Sequence, residues 1–99
     1  MFLILLHYEN GLELVDEHLP AHARWLRRNY ERGRFLLSGR RHPRNGGVIL
    51  CRAGSRAEVD VLMSEDPFAA AGAARHEILE FLPGDSAPEL SFLLPPRGS

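Results

Sequence analysis

The 99-residue chain has no lysine, one cysteine, and no apolar run long enough to cross a bilayer. Each absence removes a class of function. A lone Cys51 rules out an internal disulfide and leaves none of the paired cysteines of zinc or iron-sulfur sites, which suits a reducing compartment. His7, His18, His42 and His76 show no ligand spacing either, so neither a metal nor a cofactor is expected. The opening run Phe2-Leu3-Ile4-Leu5-Leu6 has no basic residue before it and soon meets His7 and Glu9, too short for a signal or membrane segment. The expected location is cytoplasmic, without a membrane partner.

What charge there is sits unevenly. The formal net charge is -1, yet the stretch from Arg24 to Arg56 holds ten arginines against Glu31 alone. The acids gather in the remainder. A run of this kind most simply covers a solvated face, while the bidentate guanidinium also suits small anions. Nucleic acid is not an expected partner, because the chain is not basic overall and lacks aromatics interleaved with its arginines. With 44% apolar residues the chain has enough for one core, and domains of this size often gain stability by association.

Along the chain, Phe2 to Tyr8 reads as a strand and Glu9-Asn10-Gly11 as a turn. A helical region then runs from about Leu12 to Arg32 and stops at Gly33. Pro20 inside it predicts that the main helix starts near that residue or kinks there. Leu19, Ala23, Leu26 and Tyr30 recur at helical period and predict a buried stripe, with His22 about 70° from its centre, at the margin. Arg34 to Ser38 and Gly47 to Arg52 read as strands around an arginine-bearing loop. Ser55 and Glu58 form a capping box for a helix through Met63, and Asp66-Pro67 reads as N-cap and first residue of a further turn. Arg75 to Leu82 is the last strand, and no internal repeat is present. The organisation expected is one domain over 1–88 and a tail over 89–99, in which Leu90 to Leu94 docks on the body or on a partner.

The order βαββαβ is that of an α+β ferredoxin-like domain, an antiparallel sheet with two helices on one face. In its strands apolar residues occupy both parities, where a sheet with one solvated face would alternate. Two helices cover one side only. The other side calls for a second copy, making the chain its own partner as a homodimer or higher oligomer.

Two residues suit proton transfer: His22 on the long helix and Asp66 before Pro67. If the fold joins them, the carboxylate fixes the imidazole tautomer and leaves the other ring nitrogen as acid or base. Asp66 can cap its turn at the same time, since a carboxylate offers about four lone-pair sites. Ser38 has no activated-nucleophile context. Cys51, among apolar neighbours, reads as a core residue.

With these residues in view, the chain resembles the YciI-like family (YCII-related domain) over roughly Met1 to Pro88. The likeness rests on the opening strand, Pro20-Ala21-His22 with Leu26, Gly33-Arg34-Phe35-Leu36 followed by Ser38-Gly39, Gly46-Gly47-Val48-Ile49, and Asp66-Pro67-Phe68 with Ala71-Gly72. It implies a dimeric α/β barrel and an active-site pair matching His22 and Asp66; in the functional reading Ser38 and Gly39 line the substrate pocket and Arg40 clamps an anion at its mouth. Related folds host isomerases, dehalogenating enzymes of aromatic breakdown and small monooxygenases. One departure stands out: the family commonly reads Ser-Gly-Pro where this chain has Ser38-Gly39-Arg40, a long cation in place of a rigid ring. The function expected is proton transfer by His22 and Asp66 on a small anionic carbonyl or phenolic compound, as an isomerase, lyase or dehalogenase. The alternatives are a non-catalytic ligand-binding module on the same dimeric scaffold and a small monooxygenase.

Overall fold

The computed structural model describes residues 1–96. Strand β1 (Phe2–Tyr8) sends Phe2, Ile4 and Leu6 into the core and leaves Leu3 and Leu5 half-buried on its other face. It runs antiparallel between β3 (Gly46–Cys51) and β4 (Ala74–Glu80), and β2 (Phe35–Arg40) pairs with β3. The resulting four-stranded order is β2-β3-β1-β4. Helices α1 (Leu12–Glu31), α2 (Arg56–Ser64) and α3 (Pro67–Ala70) supply Val15, Trp25, Val59, Leu62, Met63 and Phe68 to the core on one face. This is the expected ferredoxin-like α+β fold, its second helix broken into α2 and α3. Gly46, where β3 starts, is required by close approach, because a Cβ there would lie 1.8 Å from the Leu6 carbonyl oxygen.

Helix α1 departs from expectation twice. It is continuous from Leu12, with Pro20 inside it. The bond that proline deletes would have ended on the Asp16 carbonyl, and Asp16 and Pro20 are both exposed, where solvent can satisfy that carbonyl. The buried face is also not the predicted stripe. Val15, His22, Trp25 and Asn29 face the sheet, whereas Leu19, Ala23 and Tyr30 are exposed. Polar side chains at 22 and 29 hid this face from a count of apolar residues, and His22 lies within the buried face instead of at its margin. The helix ends as Gly33 predicts. With φ of 73°, Gly33 donates to the Tyr30 carbonyl and Arg34 to the Asn29 carbonyl, the paired bonds of a Schellman motif.

At the start of α2 the Ser55 hydroxyl accepts from the Glu58 N–H, and the Glu58 carboxylate accepts from the Gly54 N–H. Strand β2 runs further than the predicted Ser38, so Gly39 and Arg40 belong to the sheet, not to the loop. Strand β4 stops at Glu80, short of the predicted Leu82. In the tail, Pro88–Leu93 forms a 3-10 helix, and Leu90, Leu93 and Leu94 line a hollow with Met1, Leu50 and Phe81. Phe92 lies under the Arg52 guanidinium, 5.9 Å from ring centre to carbon. Residues 97–99 of the expected tail lie outside the described residues. No helix among the described residues is long and apolar enough to cross a membrane.

Candidate functional site

Asp66 ends the connection from α2 and caps α3, its Oδ1 accepting from the Phe68 N–H at 3.0 Å. That cap turns the carboxylate toward α1. There the His22 ring meets the same oxygen through Nδ1 at 2.7 Å. The other oxygen, Oδ2, meets His76 Nε2 at 2.8 Å from β4. Asp66 is wholly buried and His22 is 7% exposed. Burial pushes the Asp66 carboxyl up, but the bonds from His22, His76 and the Phe68 N–H outweigh it and hold the group below its ordinary range. An ionised carboxylate only accepts, so both imidazole nitrogens must donate. His22 is thereby fixed as the Nδ1–H form, with Nε2 available as a base whenever the ring is neutral.

The His22 ring is held from the side as well. Phe68 stacks on it at 4.0 Å between centroids, with 11° between the planes, and Trp25 packs at 5.4 Å. The ring lines a cleft of about 260 Å³, together with Leu6, Tyr8, Leu19, Leu26, Ile49 and Phe68. Ser38, Gly39 and Arg40 line the same cleft. Cross-strand pairing of Ser38 with Ile49 and of Arg40 with Gly47 puts both side chains on the helix-covered face of the sheet. The cleft is mostly apolar, with a few polar groups converging on it, the general form of a small-molecule site. Its volume, below the ~300–1,000 Å³ of pockets for drug-sized ligands, has room for about one ring.

The arginines of this region divide by partner. Arg41 donates to His7 Nδ1 at 3.1 Å, and Arg44 pairs with Asp16 at 2.5 Å. Arg40 is exposed at the cleft and forms no ion pair among the described residues. The Ser38 hydroxyl is bonded to the Tyr30 hydroxyl.

All five residues singled out from the sequence therefore gather at one place: His22 and Asp66 bonded, Ser38, Gly39 and Arg40 along the cleft that His22 faces. Three others were missed. His76 has no ligand spacing in the sequence, yet it holds the far side of Asp66. Its signal was strand parity, since it lies opposite Leu6 and so points to the core face. Phe68 had a signal in its place two residues past the capping aspartate. Helical periodicity places Tyr30 in a buried stripe, whereas it reaches Ser38 from the exposed side of α1. Cys51 is buried, and burial pushes its thiol up, away from the reactive range. No group of three or more histidine, cysteine, aspartate or glutamate side chains able to hold a metal ion occurs among the described residues.

The model of the YCII-related domain matches residues 1–82. No curated protein matches the sequence. Among solved structures, the chain is similar to 5-chloro-2-hydroxyhydroquinone dehydrochlorinase (TftG) from Burkholderia phenoliruptrix AC1100, in complex with 2,5-dihydroxybenzoquinone. The two superpose with a TM-score of 0.68 at 18% identity, over 85% of this chain and 96% of the other. At that identity the likeness is one of fold.

Proposed function

We propose that this chain, which belongs to the YCII-related domain family, is a small-molecule enzyme that moves protons on a single-ring, anionic carbonyl or phenolic compound. The reaction is an elimination of the dehalogenase kind or an isomerisation. One observation carries the reading: a buried, ionised Asp66 fixes the His22 tautomer while the same ring lines a cleft. His22 Nε2 takes a proton from a hydroxyl, or from a carbon beside a carbonyl. Asp66 stabilises the imidazolium that forms, and the apolar walls keep water from competing. The Arg40 guanidinium, unpaired among the described residues, meets the oxygen on which negative charge collects. The solved neighbour, a dehydrochlorinase bound to a dihydroxyquinone, has the same fold and supports the choice of ligand class.

The reading includes a homodimer. The sheet face away from the helices carries Leu3, Leu5, Leu37, Val48, Leu50 and Leu79, with Leu37 67% and Leu79 46% exposed. A second copy packed face to face removes this surface from water, and a stable interface of that kind buries about 1,200 Å² or more in total.

The test is turnover of a chlorinated hydroxyhydroquinone followed by chloride release, together with calorimetric binding of 2,5-dihydroxybenzoquinone. Wild type is expected to bind the quinone and to release chloride, and His22→Ala to lose about 10²–10⁴-fold in rate while still binding. Binding without release, unchanged in His22→Ala, would replace the enzyme with a ligand-binding module.

A further inference from the structure

We infer that His76 is a positioning residue of this site: by holding Oδ2 of Asp66 it keeps Oδ1 on His22 and so maintains the Nδ1–H form of that ring. The inference rests on the reading of His22 as the acid/base.

Three elements converge on one carboxylate: α1 through His22, the first turn of α3 through the Phe68 N–H, and β4 through His76. Two of these donors share Oδ1. Oδ2 has His76 alone among the described residues, inside a wholly buried group. Without that donor an ionised oxygen is left unpaired in the interior, which a protein avoids by turning the carboxylate or protonating it. Either response reaches His22. A turned carboxylate exchanges the oxygens and loosens the bond to Nδ1, and a protonated one no longer demands a donor from the ring.

The other charged residues of β4 do not replace His76: Glu80 shares its face but lies at the far end of the strand opposite Phe2, and as a carboxylate it cannot donate to Asp66. Arg75 and Glu77 lie on the opposite face of the strand, paired with Glu9 and His7. His76 is itself anchored: cross-strand pairing sets it opposite Leu6, a wall of the cleft, and its side chain is 9% exposed. It does not line the cleft, so it acts through Asp66 and does not touch the ligand.

The experiment uses the full chain labelled with ¹⁵N and ¹³C, as wild type, His76→Gln and His76→Leu. Glutamine keeps an N–H donor near the position of Nε2, and leucine keeps bulk without it. Ring ¹⁵N shifts report the His22 tautomer, and the Asp66 Cγ shift reports the carboxyl titration. Wild type and His76→Gln are expected to show His22 as a single Nδ1–H form. His76→Leu is expected to show a mixture with the Nε2–H form and an Asp66 carboxyl moved up toward its ordinary range. An unchanged tautomer and titration in His76→Leu would overturn the inference, as would a His76→Gln protein that behaves like the leucine variant. Should His76→Leu fail to fold, wild type still decides: a proton on His76 Nε2 at neutral pH is required, and its absence refutes the bond. These outcomes are separate from turnover. A protein that releases no chloride but shows the tautomer response loses the enzymatic reading and keeps the positioning role.

Discussion

Replacing Asp66 by alanine removes an acceptor used by three donors, and the loss can be worked through from those donors. The α3 cap disappears, at about 1 kcal/mol. The Nδ1–H of His22 and the Nε2–H of His76 are stranded in the interior at about 1–3 kcal/mol each. Alanine no longer has to bury a charge, but in the intact chain the bonds from His22, His76 and the Phe68 N–H outweigh that burial cost, so the relief offsets only part of the loss. The net expectation is a loss of about 2–4 kcal/mol, which for a domain of this size lowers Tm by at least ~10 °C. Thermal unfolding at fixed protein concentration measures it, since a dimer makes Tm depend on concentration. Asp66→Asn separates the contributions. Its amide oxygen can still accept from Phe68 and His22, but its NH₂ confronts the N–H of His76, so it should cost less than alanine and more than nothing. A Tm within ~3 °C of wild type for Asp66→Ala would refute the reasoning, because the lost bonds outweigh the burial cost that alanine relieves.

The same carboxylate sets a pH dependence whose sign follows from its environment. Burial pushes the Asp66 carboxyl up, and the bonds from His22, His76 and the Phe68 N–H bring it below its ordinary value of 3.8. The folded chain therefore holds this proton less tightly than the unfolded chain does. Its contribution to stability is complete above the unfolded value and is lost as pH falls through the lower folded value. Denaturant titrations should show the gap between wild type and Asp66→Asn closing below about pH 4. A gap that widens there would reverse the assignment.

Three further outcomes are expected. Light scattering should give twice the 11.1 kDa chain mass, and Leu37→Glu should shift it to the monomer while barely touching the stability of the single chain, because Leu37 is already 67% exposed. Arg40→Pro, the residue that the family resemblance leads one to expect there, should weaken calorimetric binding of 2,5-dihydroxybenzoquinone about 10-fold or more, whereas equal affinity in both proteins would remove the anion clamp. Ser55→Ala should cost about 1 kcal/mol in denaturant unfolding through loss of the α2 cap and leave quinone binding unchanged.

Much of the fold was legible because local chemistry and long-range topology agree. Gly33, Ser55 with Glu58, and Asp66-Pro67 punctuate the chain where the helices end or begin, and each motif works through neighbours within a few residues. The two-sided apolar strands reported a sheet with one face left over. The face of α1 was not legible by the same means. Apolar residues were counted as buried, yet on this helix the buried face includes His22 and Asn29, while Leu19, Leu26 and Tyr30 turn toward the cleft or solvent. A site that must hold an imidazole beneath a helix places a polar residue where periodicity expects leucine. The pattern therefore fails at the candidate site residue itself.

His76 illustrates a different limit. Its role depends on which way alternate residues of β4 point, and that is set by pairing with β1: Leu6 opposite His76, Ile4 opposite Ile78. In Arg75-His76-Glu77-Ile78-Leu79-Glu80 the residues that face the helices are a histidine, an isoleucine and a glutamate, so hydropathy alone does not reveal the inner face. A one-residue slip in register would turn His76 to the face of Leu3 and Leu5 and bring Arg75 or Glu77 inward. Arg75 in that place would bring a fixed cation to Asp66, and Glu77 would set two carboxylates against each other. Neither leaves the carboxylate with two imidazole donors. The register of one edge strand thus decides whether Asp66 can orient His22, a long-range consequence that no spacing within the chain encodes.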